Sequence, residues 1–232
     1  MVFYGQTIDG IPDRGHSLFV TALVMLLIAA LFVAIRLATR YYMKKFGWDD
    51  FFLVIALVAS TMTTVAINLA VVNGYGRHKA EMGENAQLAF KWFFVAQIPY
   101  KIALGCTKAS ILLLYIRIFI TKNFQLLAKV CLGVVGAWTV ASVLVTAFQC
   151  TPVEASWNKT IKDKRCIHKN AWWYSFASIS TFTDIVIAIL PINPVRQLKL
   201  SKRNRIGLYF VFAVGGLYVF TSLDLPLELT KI

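Results

Sequence analysis

The sequence predicts an all-α fold, a polytopic transmembrane helix bundle, on three observations. Hydrophobic residues make up 58% of the chain and charged residues 15%, against about half and a quarter in soluble domains. The apolar residues are gathered into six runs, 17–35, 51–72, 92–116, 125–148, 171–193 and 206–223. Each approaches the roughly 20 residues that a helix needs to cross a hydrocarbon core of about 30 Å. None of the runs alternates as a β-barrel strand must. The expected organisation is an extracytoplasmic N-terminus (1–16), one transmembrane domain (17–223) with six spans, and a short tail (224–232).

The first run is not a signal peptide, because only Arg14 precedes it and more spans follow. The loop after it, RLATRYYMKKFGWDD, carries Arg36, Arg40, Lys44 and Lys45, and a short basic loop is retained in the cytoplasm. The N-terminus is then outside and the loops alternate. Loops 36–50, 117–124 and 194–205 fall inside, with eleven basic residues against eight outside. The basic stretch Arg196, Lys199, Lys202, Arg203 and Arg205 is the strongest inner patch. The formal net charge of +13 therefore reads as a topology signal and a match to anionic headgroups, and nucleic acid is not an expected partner.

Two features of the 149–170 loop agree with that orientation. Asn158-Lys159-Thr160 is a glycosylation acceptor, meaningful only on the lumenal or outer side. Cys150 and Cys166 flank it. As a disulfide they would close a loop with roughly 3 kcal/mol of constraint; two free thiols are the alternative. Trp172, Trp173 and Tyr174 at the head of the fifth run, and Tyr41, Tyr42 and Trp48 in the first inner loop, suit headgroup depth. Arg36 and Arg40 can pair with Asp49 and Asp50 across that loop as exposed ion pairs, which position more than they stabilise.

The polar residues inside the runs are the candidate sites. Lys108 lies nine residues before Arg117, and Asp184 eight before Ile192. At 1.5 Å per residue these are depths of roughly 13 and 12 Å from the same side. A lone charge there costs at least ~2.5–3.5 kcal/mol, so Lys108 and Asp184 are expected to form an intramembrane pair. That pair is either a functional element or a link fixing which helices touch. Lys101, seven residues earlier on the stripe of Lys108, is expected to snorkel toward the outer surface. Asn68 is expected to make an interhelical hydrogen bond. Small residues at Ala56, Ser60 and Thr64, at Gly133, Ala137 and Ala141, and at Ala177 and Thr181 read as packing stripes. GYGR at 74–77 follows no strand and reads as a turn. His16, His78 and His168 lack metal-ligand spacing, so no metal or cofactor is expected. No Ser–His–Asp spacing, HExxH or CxxC occurs, and the reading leans away from an enzyme.

In order and spacing, RLATR (36–40), FGWDD (46–50), GYGRH (74–78), KASILLLYIRIF (108–119), QCTPVEASW (149–157), Cys166 and TDIVIAILPI (183–192) resemble the fungal rhodopsin-like domain family of filamentous fungi. The resemblance covers about 15–220. It implies a seven-span, receptor-like integral membrane protein of the plasma membrane or an endomembrane. It also implies a small or lipidic ligand and a cytoplasmic signalling partner, and it does not imply retinal. The family also holds membrane proteins encoded beside secondary-metabolite pathways, so the alternative is an integral membrane enzyme or accessory protein in which Lys108 or Asp184 does acid–base chemistry. Family members continue into a seventh span. Here SLDLPLELTKI follows the sixth, and Asp224, Pro226 and Glu228 argue against another, so the expected bundle lacks its last helix.

Overall fold

A computed structural model describes residues 14–75, 86–158, 161 and 164–192. The expected sixth span, the basic stretch Arg196 to Arg205, the 224–232 tail and most of the N-terminal segment lie outside these residues. In chain order the elements are α1 (Arg14–Tyr42), α2 (Trp48–Val72), α3 (Ala86–Ile118), α4 (Lys122–Ala147), strand β1 (Cys150–Thr151), a 3-10 turn (Val153–Ser156), strand β2 (Arg165–Cys166) and α5 (Lys169–Ile189). The small antiparallel ladder, in register Cys150 with Cys166 and Thr151 with Arg165, departs from a purely helical expectation.

Of the six expected spans, three of the described helices are long and apolar enough to cross a membrane: Phe19–Tyr42, Trp48–Val72 and Lys122–Ala147. The α3 and α5 helices coincide with two further expected spans, but polar residues dilute their hydropathy. In α3 these include Gln97, Lys101, Thr107, Lys108 and Ser110. Pro99 also stands inside α3, where it cannot donate the N–H that would bond the carbonyl four residues back.

The first connection differs most from expectation. The 36–50 segment is not a loop: α1 continues to Tyr42, so Arg36 and Arg40 lie on the helix and only 43–47 connect it to α2. Leu, Ala and Arg are good helix formers, and nothing in RLATRYY breaks the helix. The end is a Schellman motif, with Lys45 N–H to Arg40 O (3.1 Å) and Lys44 N–H to Tyr41 O (3.0 Å). Lys44 takes the left-handed position, φ 50°, that glycine usually fills. The α2 helix ends the same way with the usual residue: Gly74 has φ 98°. There Tyr75 N–H bonds Ala70 O (3.0 Å) and Gly74 N–H bonds Val71 O (2.9 Å), so the expected turn at 74 is present.

The chain divides into two compact units. The first comprises Met1–Ser110 and Gly136–Lys169. In it Ala56 and Thr64 of the expected α2 stripe are buried, with Ala59, Ala66 and Ala70 beside them. The second comprises Ile111–Val135 and Asn170–Ile232. Its core joins Leu112, Val135 and Ile187 and, at the α3–α4 connection, Phe119, Phe124 and Ala128. The Phe119 and Phe124 rings meet edge-on at 4.8 Å.

The small stripe expected to pack on α4 faces outward. Gly133, Ala137 and Ala141 are all exposed, and a Cβ on Gly133 would meet nothing within 4 Å. The close approach occurs instead at Gly105 of α3, where a Cβ would overlap the Thr139 side chain of α4.

Candidate functional site

The densest polar cluster sits where α1 meets α2. Gly47 is extended (φ −146°) and caps α2. Asp50 at the third helical position reaches back so that its Oδ2 accepts from the Gly47 N–H at 3.2 Å, half of a capping box. Its other oxygen accepts from Arg36 Nε at 3.3 Å, and Arg36 Nη2 donates to Asp49 Oδ2 at 2.9 Å. One guanidinium thus spans two carboxylates. Arg40, one turn on along the same face of α1, approaches Asp49 at 3.7 Å. Ser110 Oγ of α3 donates to the Asp49 carbonyl at 2.7 Å, so three helices converge here. These are not the exposed pairs the sequence suggests: Asp49 is 3% exposed and Asp50 0%. A buried carboxylate is tolerated only when paired and hydrogen-bonded, and the first turn of α2 adds its positive helix end.

A second polar group joins α3 and α4. Lys101 does not snorkel. It is 4% exposed, and its Nζ donates to Thr146 Oγ1. Thr146 Oγ1 in turn donates to Ser142 O at 2.8 Å. Ser142 and Thr146 are fully buried, and Gln97 is buried one turn before Lys101. Lys108 is 7% exposed within the first unit. Asp184 is half-buried on α5 within the second. Asn68 Oδ1 is buried with no hydrogen-bond partner among the described residues.

Beyond this row lies a braced loop. Cys150 and Cys166 are disulfide-bonded, Ile167 N–H bonds Gln149 O at 3.0 Å, and Lys169 Nζ donates to Ser156 O at 3.0 Å. The Thr151-Pro152 peptide bond is cis. The loop sets Trp157 against Phe94 of α3, with centroids 5.4 Å apart, and Lys91 Nζ lies 5.9 Å from the Trp157 ring centre. Tyr75 stacks on Phe93 at 4.6 Å, and burial raises its phenol above the ordinary 10.0. Asn158 follows Trp157 directly and is half-buried; its N–H bonds Glu154 O at 2.9 Å.

The family profile for the fungal rhodopsin domain matches residues 35–224. The chain belongs to the fungal rhodopsin domain family. Family membership and the spanning helices make it an integral membrane protein with the lipid bilayer as its surroundings. Among similar proteins, the polyenoic acids biosynthesis gene cluster protein Ba17b of Metarhizium anisopliae is 29% identical, over 88% of this chain and 58% of that protein. A SAT4 family membrane protein of Emericella nidulans is 28% identical, over 80% of this chain and 46% of its own length. Receptor GIN3 of Arthrobotrys oligospora is 26% identical, over 64% and 35%. The chain therefore spans about half the length of the first two relatives. No solved structure matches it.

Sequence reading found the Arg36, Arg40, Asp49 and Asp50 partners but not their burial, and it missed Ser110, Thr146 and Gly105. Only Gly105, a lone glycine amid a helical run, carried a signal of its own.

Proposed function

We propose that this fungal rhodopsin-domain protein is receptor-like and senses a small or lipidic ligand. The observation that carries the reading is the buried polar row of Gln97, Lys101, Ser142 and Thr146 on facing helices, beneath a disulfide-braced loop. Such side chains are expensive in a membrane and are functional candidates by default. In this reading α3, α5 and the 206–223 run also cross, giving six spans. The N-terminus is extracytoplasmic, in the plasma membrane or an endomembrane, and Asn158 carries a glycan. Arg196, Lys199, Lys202, Arg203 and Arg205 face a cytoplasmic signalling protein. The matched depths of Lys108 and Asp184 in the sequence support pairing them: Lys108→Met or Asp184→Leu alone should lower accumulation and the double replacement restore it. If the double variant accumulates no better than either single one, the two charges do not pair. A glycosidase-sensitive mobility shift abolished by Asn158→Gln would support the orientation; its absence would count against the glycan.

The second reading, an enzyme or accessory protein of a secondary-metabolite pathway, is favoured by relatives named for biosynthesis clusters, among them the phomoidride cluster protein H. Deleting the gene in the organism that carries it separates the two. A receptor should lose the early transcriptional response to a lipid extract of the culture while no intermediate accumulates. A pathway protein should leave that response intact and cause an intermediate to build up. If neither measurement changes, both readings fail.

A further inference from the structure

The loop between α4 and α5 carries the glycosylation acceptor Asn158, eleven residues from the end of α4 at Ala147 and eleven from the start of α5 at Lys169. Fully extended, eleven residues reach about 36–40 Å, so an open loop can present Asn158 well clear of the helices. The folded loop holds it close from both sides. Before it, the 3-10 turn Val153–Ser156 ends with the Trp157 and Asn158 N–H groups both on Glu154 O, at 3.2 and 2.9 Å. Trp157 packs on Phe94 of α3, Ala155 is buried, and Lys169 Nζ donates to Ser156 O. After it, Cys166 is joined to Cys150 by the ladder and by the disulfide. Asn158 is left half-buried. An enzyme that glycosylates an asparagine must take its side chain and flanking backbone into its own cleft, and a residue fixed in this way reaches that cleft only when the loop opens.

We propose that folding of this loop closes the Asn158 site: glycan transfer occurs only before the Cys150–Cys166 disulfide forms, so the thiol–disulfide balance of the compartment sets the fraction of chains that carry the glycan. The inference rests on the reading above that places the loop on the lumenal side. Transfer forms a bond from Asn158 Nδ2 to the anomeric carbon of an oligosaccharide carried on a lipid diphosphate; the amide gives up one proton and the lipid diphosphate leaves. Closure oxidises the two thiols, passing two electrons and two protons to the disulfide of an oxidoreductase, which is reduced to its dithiol. Cys166 follows Asn158 by eight residues, about 0.4–1.6 s of synthesis. Disulfide formation then takes seconds to hours with the oxidant present, so the oxidant decides how long the open loop persists.

The test is translation of the full chain with sealed microsomal vesicles, read as the glycosidase-sensitive fraction that Asn158→Gln removes. The unaltered chain should be partly glycosylated. Dithiothreitol during synthesis should raise the occupied fraction severalfold. Cys150→Ala or Cys166→Ala should raise it as much without the reductant and no longer respond to it. Occupancy equal with and without the disulfide overturns the proposal. Trypsin added outside the vesicles to the Cys166→Ala chain keeps that failure apart from failure of the orientation. A 158–165 segment cut only after detergent is lumenal, as the proposal requires; one cut in sealed vesicles overturns the orientation and this inference together.

Discussion

Replacing Arg36 by Met probes the buried cluster most directly, because methionine keeps much of the aliphatic stem while removing the charge. Arg36 donates to Asp49 at 2.9 Å and to Asp50 at 3.3 Å. Removing one partner of a buried ion pair costs about 3–5 kcal/mol. Two features reduce that here: Asp50 keeps its bond from the Gly47 N–H and Asp49 keeps Arg40 at 3.7 Å, while the Arg36 side chain is itself partly exposed. The expected loss is therefore about 2–3 kcal/mol, a factor of roughly 30–150 in the folding equilibrium. Arg40→Met, which removes only the longer contact, should cost less than about 1 kcal/mol. Unfolding in mixed detergent micelles, followed by tryptophan fluorescence, measures both. A double-mutant cycle of Arg36→Met with Asp50→Asn should show a coupling of at least about 1 kcal/mol. Equal, small effects of the two arginine replacements, or strict additivity in the cycle, would refute the claim that burial makes Arg36 structural.

Gly105→Ala should destabilise by about 1–3 kcal/mol through overlap with Thr139, and Thr139→Ser should recover part of that loss in the same assay. Thr146→Val removes an acceptor of Lys101 and should cost about 1–3 kcal/mol. Cys150→Ala opens a loop whose ends are 16 residues apart and removes roughly 3 kcal/mol of constraint; limited proteolysis within 158–165 should quicken. Lys44→Gly relieves a left-handed lysine and should raise stability by about 0.5–1 kcal/mol.

Much of the helical pattern was legible because a membrane demands long uninterrupted apolar runs, and α2 and α4 coincide with their runs to within three residues. The end of α1 was not legible, since charged residues read as loop although RLATRYY has no breaker. The pairing of Arg36 and Arg40 with Asp49 and Asp50 followed from charge and proximity. Their burial did not, because it depends on Ser110 of α3 arriving 61 residues later in the chain. Lys101 was misread for the same reason: its partner, Thr146, is 45 residues away and looks like any membrane threonine. On α4, small size alone could not distinguish a packed stripe from an outward one. The Cys150 and Cys166 disulfide was accessible as one of two alternatives, and the ladder that sets its register was not.

Arg36 precedes Asp49 by thirteen residues and Arg40 precedes the same carboxylate by nine, and synthesis at roughly 5–20 residues per second separates their emergence by about 0.5–3 s. During that interval Arg36 and Arg40 confront the insertion machinery as uncompensated cations, whichever way the first helix is threaded. Once Asp49 and Asp50 follow, the same two side chains become internal counter-ions and cease to mark a side of the bilayer. The finished ion pairs thus conceal two basic side chains that carried full charge when topology was decided.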